Sequence, residues 1–205
     1  AVASLFHFYL QILGLSNRLL VHQVHQYGFE QFQKHTLNNL REQSELTYHK
    51  RFLQVNGNQL RNISFLEGRF SPKKTKFDNL QLLQAVNLGW EKFSNASILK
   101  PELKLVAHFI KKKECSNELD KWIRHKYLRI DIWKRAQILS ILLKKERFKN
   151  KIVGIDAASS EFDTPPEVFA PVFRKLRREG LLKHFTYHVG EDFFHILSGL
   201  RAIFE

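Results

Sequence analysis

Methionine is missing from all 205 residues, position 1 included, and cysteine occurs once, as Cys115. A single thiol excludes an intramolecular disulfide framework and fits a reducing compartment, so a cytoplasmic location is the expectation. Lys111, Lys112 and Lys113 precede Cys115 and would lower its pKa, but no His/Asn arrangement accompanies it, and it reads as an incidental thiol. No apolar run approaches the ~20 residues that span a bilayer. Residues 5–21 come nearest, and His7, Gln11, Asn17 and Arg18 interrupt them. No signal-peptide pattern is present, and no Gly-x-Gly-x-x-Gly or Walker-type loop follows any strand, which argues against the nucleotide-binding doubly wound folds. The absence of methionine, with the abrupt start and finish, leads us to expect a segment of a longer polypeptide.

What is abundant is positive charge and phenylalanine. A net charge of +13 attracts phosphate on nucleic acid, nucleotide or membrane surface, although a basic surface can also be merely solvated. Eighteen phenylalanines imply a bulky aromatic interior or interface. The chain is long enough for one domain with a substantial core.

Residues 1–58 read as a helical region. Leu5, Phe6, Tyr9, Leu10 and Leu13 have helical spacing, and Phe29, Phe32, Leu37, Leu40 and Phe52 continue it in a second amphipathic helix. Asn56-Gly57-Asn58 is a turn signal. From residue 59 onward short apolar strands alternate with helices. Strands are expected over 63–70, 103–110, 151–156 and 185–188, with helices after each: from an Asp78 N-cap through Trp90, over 118–147, from a Thr164 capping box to Gly180, and from Phe193 to Ile203. This order is an α/β pattern with a parallel sheet. The strands read as apolar throughout, so both sheet faces are expected to be covered. A (β/α)8 barrel and a doubly wound sheet both fit, and in both the chemistry sits at the carboxyl ends of the strands.

Those ends carry the unusual residues. The last strand runs into His188-Val189-Gly190-Glu191. A neutral imidazole is a good zinc ligand, and a glutamate three residues on, past a glycine, can fold back as an acid/base group. Two other ends read Glu67-Gly68-Arg69-Phe70-Ser71-Pro72 and Gly154-Ile155-Asp156-Ala157-Ala158-Ser159-Ser160-Glu161. In order, the three resemble the Glu-x-Arg-Tyr-Ser-Pro, Ile-Asp-Leu-Ala-Gly-Asp-Glu and His-Ala-Gly-Glu strands of the metal-dependent adenosine deaminases. The stretches 162–174 and 190–201 are similar to one divergent branch, the deaminase subunit of the RADAR anti-phage defence system.

The resemblance implies a (β/α)8 TIM barrel of the metal-dependent hydrolase type, of which these residues are the central units. It implies Zn2+ as cofactor and hydrolytic deamination of adenosine or an adenine nucleotide such as ATP to the inosine form, with adenosine in RNA as a variant. His188 would be a zinc ligand and Glu191 the catalytic proton shuttle. Ser159, Asp156 and Glu161 would line the substrate site. Ser159 stands where the family usually has a glycine whose N–H reads the purine. Arg69 and Ser71 would support the barrel near the site. A homo-oligomer and contact with the defence system's ATPase are implied too. The family's His-x-His pair, its further histidine and its last aspartate have no match here. His22 and His25 are spaced i, i+3 and do not replace the pair. The sequence therefore also leaves open a barrel-derived assembly or nucleic-acid-binding subunit that kept the fold and lost the metal. His108, His184 and His195 read as surface or packing residues, and Lys73, Lys74 and Lys76 as a solvated loop.

Overall fold

The structure is a computed structural model, and it describes residues 2–20, 47–57, 63–95, 101–112, 123–159, 161, 164–190 and 195–204. Most of the second N-terminal helix expected from the sequence, together with His22, His25, Cys115 and Glu191, lies outside the described residues.

The chain forms α1 (Val2–Leu20) and α2 (Tyr48–Asn56), then β1 (Phe65–Phe70), α3 (Lys76–Ser94), β2 (Glu102–Ile110), α4 (Lys126–Leu143), the single-turn α5 (Glu146–Lys149), β3 (Ile152–Ala158), a 3-10 turn (Pro166–Val168), α6 (Ala170–Arg178), β4 (His184–Tyr187) and α7 (Ile196–Phe204). The four strands make one sheet in the order β1-β2-β3-β4, and every pair is parallel. Each strand is therefore added beside its predecessor in the same direction. Right-handed crossovers then put every connecting helix on the same face. A doubly wound sheet reverses its strand order and so covers both faces. This sheet does not reverse.

Among the described residues the apolar core lies on one face of the sheet. Leu66 and Phe70 of β1, Leu103, Leu105, Ala107 and Phe109 of β2, Ile155 and Ala157 of β3, and Phe185 and Tyr187 of β4 pack with α3, α4 and α6. The helices contribute Leu83, Trp90 and Phe93, then Ile132, Leu139 and Leu142, then Val172 and Leu176. Phe52 of α2 meets Trp90 edge-on, with ring centroids 5.0 Å apart, and extends this layer. The expectation that both faces are covered is met for one face among the described residues. Glu67, Arg69, Lys104, His108 and Thr186 alternate with the core positions and point to the opposite face, which no helix covers among the described residues. A cavity of about 560 Å3 lies on that face, lined by Glu67, Lys104, Val106, Gly154, His184 and Thr186 among others.

Several local expectations shift for physical reasons. Thr75, not Asp78, caps α3: its hydroxyl accepts from the Asp78 N–H at 3.1 Å, which places Asp78 in the first turn where the dipole favours an acid. The capping box at Thr164 does not form. Thr164 is buried, and its Oγ1 donates to the Lys112 carbonyl at 2.9 Å, so the hydroxyl ties two strand-end loops together. The helix expected up to residue 147 stops at Leu143 and restarts as α5. Gly180, at φ 65°, closes α6 as foreseen: its N–H bonds the Arg177 carbonyl and the Leu181 N–H reaches Leu176, the Schellman pairing.

Candidate metal centre

Asp156 is two residues from the end of the central strand β3, and no part of it reaches solvent. A carboxylate buried so completely must be paired, and this one is saturated. Oδ2 accepts from Arg69 Nε at 3.1 Å and contacts His108 Nδ1 at 2.8 Å. Oδ1 accepts from Thr186 Oγ1 at 2.9 Å and contacts His188 Nδ1 at 3.2 Å. The sheet register makes this gathering unavoidable: His108, Asp156 and Thr186 are direct cross-strand partners on the open face. Arg69 reaches in from β1, and His188 from the first position after β4.

Burial alone would push the Asp156 carboxyl up. Hydrogen bonds from His108 and Thr186, with the charges of His188 and His108, outweigh it and hold the group well below the usual carboxylate range. The ionised carboxylate has only acceptors, so each of its four neighbours must donate. That fixes both histidine tautomers. Each ring carries its proton on Nδ1, and a neutral ring leaves the Nε2 lone pair free. The two rings are nearly perpendicular, at 87°, with centroids 6.0 Å apart.

The strand ends around this hub are tied down. The His188 N–H bonds the Ala157 carbonyl at 2.9 Å, and the His188 carbonyl accepts from Lys111 Nζ at 2.5 Å. Lys111 is almost fully buried and lies over the Tyr187 ring, 4.5 Å from its centroid. Burial pushes the Tyr187 phenol above its ordinary range, with the charges of Glu161 and Glu167 adding to it. Glu161 Oε2 accepts the Gly190 N–H at 3.0 Å, so this carboxylate shapes the turn after His188. Gly190 itself sits at φ 74°.

The residues singled out from sequence thus fall in two groups. Asp156, His188 and Arg69 meet at one point. Glu161 holds the adjoining turn, and Ser159 follows β3 in the left-handed region at φ 92°, where glycine is most at ease. Ser71 is half-buried in the loop after β1, whose Pro72 carbonyl accepts from Arg135 Nη1 of α4. Glu191 lies outside the described residues. His184 is exposed on the open face, His195 is exposed before α7, and Lys74 faces Asp131 at 3.9 Å. His108 is the residue that sequence reasoning missed. The available signal was its height: it precedes the end of β2 by two residues, as Asp156 precedes the end of β3.

A histidine whose Nδ1–H is held by a carboxylate is the usual form of a zinc-binding imidazole. His188 fits one position of a zinc site on that ground. A catalytic zinc takes three protein ligands, and among the described residues no three His, Cys, Asp or Glu side chains form such a set. No helix among the described residues is long and apolar enough to cross a membrane.

No family model matches this chain, and no curated protein does. Among solved structures, the chain is similar to a crystal structure of an amidohydrolase from Burkholderia ambifaria with bound zinc. The two are 13% identical, with a TM-score of 0.46, over 70% of this chain and 34% of that one. The chain thus spans about a third of that protein's length.

Proposed function

We propose that this chain carries part of the active site of a zinc-dependent hydrolase that deaminates adenine, in adenosine or an adenine nucleotide, to the inosine form. The observation that carries the reading is the Asp156–His188 contact at 3.2 Å. It presents a neutral imidazole Nε2 at the carboxyl end of a parallel strand, on the one sheet face that the helices leave free. The Glu-x-Arg-x-Ser-Pro, Ile-Asp and His-x-Gly-Glu strand ends support the adenine specificity, because all three match the adenosine deaminase pattern in order. We also take this sheet for the central part of a (β/α)8 barrel, since singly wound parallel strands with their helices on one face are how such a barrel grows.

In this reading His188 holds the metal through Nε2, and Asp156 fixes its tautomer and ring plane from behind. Zinc bound there would supply the Lewis acidity that makes water acidic enough to ionise near neutral pH. Lys111 holds the His188 carbonyl, so the ligand cannot swing away with its loop. The Ser159 N–H would read the purine, the role the resemblance gives that position. Glu191 protonates the ring nitrogen beside C6 and then moves a proton to the departing amine. A C–O bond forms at C6, the exocyclic C–N bond breaks, and ammonia leaves. The Arg69 guanidinium, with the hydrogen bonds from His108 and Thr186, favours the ionised form of Asp156 throughout.

The test is chromatographic detection of inosine-form product from adenosine and from ATP, with zinc supplied, by the longer polypeptide that carries the remaining zinc ligands. Glu191→Gln is expected to lower the rate by about 100-fold or more, and His188→Ala to remove turnover. No product from either substrate, or a Glu191→Gln protein at the normal rate, would contradict the reading.

A further inference from the structure

The positive charge of this protein is concentrated at the end of the sheet away from Asp156. Residues 144–151 contain Lys144, Lys145, Arg147, Lys149 and Lys151 against Glu146 alone. Residues 174–183 contain Arg174, Lys175, Arg177, Arg178 and Lys183 against Glu179 alone. Ten cations less two anions make +8 of the chain's +13.

The two segments form one surface. Lys151 immediately precedes β3 and Lys183 immediately precedes β4, and these strands are parallel neighbours, with Gly154 opposite His184. On the helical side Glu179 is the junction. Its carboxylate accepts from Ser140 of α4 at 2.6 Å and from Lys175 of α6. Hydrogen bonds from Lys175 and Ser140, with the charges of Lys175 and Lys144, hold Glu179 below its ordinary value. The main acid of the surface is thus already consumed. Lys144, Arg147, Arg177, Arg178 and Lys183 are exposed, and none of them is ion-paired among the described residues. The helix dipole accounts for cations in the last turn of α6. It does not account for Lys151 ahead of β3, nor for Lys183 beyond the Schellman turn.

We infer that this basic end is a docking surface for the phosphate backbone of a nucleic acid, separate from the Asp156 site and independent of the deaminase reading. Four of the ten cations are arginines, whose planar forks suit phosphate oxygens. An anionic membrane surface is the less fitting partner. Membrane-surface elements insert large apolar side chains, and neither segment exposes one.

The test is fluorescence anisotropy of a labelled oligouridylate with the whole protein, titrated across salt concentrations. Single-stranded binding loses about 0.7 log units of affinity per log unit of salt for each phosphate neutralised. We expect a slope of about −3, from roughly four contacts. The triple variant Arg174→Gln, Arg177→Gln, Arg178→Gln is expected to bind about 10-fold more weakly and to flatten the slope by about 2. The double variant Lys73→Gln, Lys76→Gln, whose positions follow the carboxyl end of β1 at the opposite end of the sheet, is expected to bind as wild type. These are surface changes, and unchanged thermal melting checks the fold. Absent binding, an unaffected triple variant or an equal loss in the control would overturn the inference. So would capture by phosphatidylserine vesicles without oligouridylate binding.

Discussion

His108 and His188 hang by their Nδ1 atoms from opposite oxygens of one buried carboxylate, and their rings meet edge-on with centroids 6.0 Å apart. This arrangement makes Asp156 the organising residue of the site. It also makes the hub a structural liability if the carboxylate is lost.

Asp156→Asn keeps the shape but replaces two acceptor oxygens with one acceptor and one donor. The amide NH2 must then face a guanidinium or an imidazole N–H. Removing one partner of a buried charged network leaves the others uncompensated. Arg69 is half-exposed and recovers some solvation, so we expect a loss of about 3 kcal/mol rather than more. Urea denaturation at neutral pH measures it, and a change below about 1 kcal/mol would mean that the network is not holding the fold.

The same carboxylate gives a sign to the acid response. Its folded pKa lies below its unfolded value. Its contribution is therefore present above about pH 4, the unfolded value, and is lost as pH falls through the folded one. Wild type should lose stability on acidification in that range, and Asp156→Asn should lose less. Denaturant midpoints at neutral pH and at about pH 3 compare the two. Parallel acid profiles would rule the linkage out.

Gly89 lies inside α3, where alanine normally gains about 1 kcal/mol. Here a Cβ would sit 2.5 Å from Tyr48 Cβ and 2.8 Å from the His49 nitrogen, at the start of α2. Backbone cannot yield as a side-chain tip does. Gly89→Ala should therefore destabilise by about 2 kcal/mol despite its propensity. A stabilised variant in a thermal melt would show that α2 does not pack there.

Ser159 holds φ at 92°, a conformation that costs a non-glycine residue about 1–2 kcal/mol. Ser159→Gly relieves it and gives back part of the gain as chain entropy. The expected net is a gain of about 0.5–1 kcal/mol in urea denaturation. A clear loss would mean that the serine side chain anchors the turn.

Much of the sheet was readable from the sequence, because short apolar runs between turn residues have few other fates. The strand expected over 103–110 is Glu102–Ile110, and the one expected over 185–188 is His184–Tyr187. Helix starts were harder to place, since Thr75 and Asp78 can each cap α3 and only the chain path decides. Thr164 carried the right residues for a capping box and spent its hydroxyl on Lys112 instead, a tertiary contact that local pattern does not contain. The uncovered face was hidden by treating β1 and β2 as uniformly apolar, although Glu67, Arg69, Lys104 and His108 alternate within them. His108 was passed over for the same reason. Its meaning depends on the register that sets it beside Asp156, and register is a property of two strands.

In the proposed reading His188, oriented by Asp156, would hold a catalytic zinc. Zinc per chain, measured by elemental analysis on the longer polypeptide that supplies the remaining ligands and on its His188→Ala variant, decides the matter. Near-stoichiometric zinc is expected in the wild-type polypeptide, and its loss in the variant. A zinc-free wild type, or a variant that keeps its zinc, would contradict it.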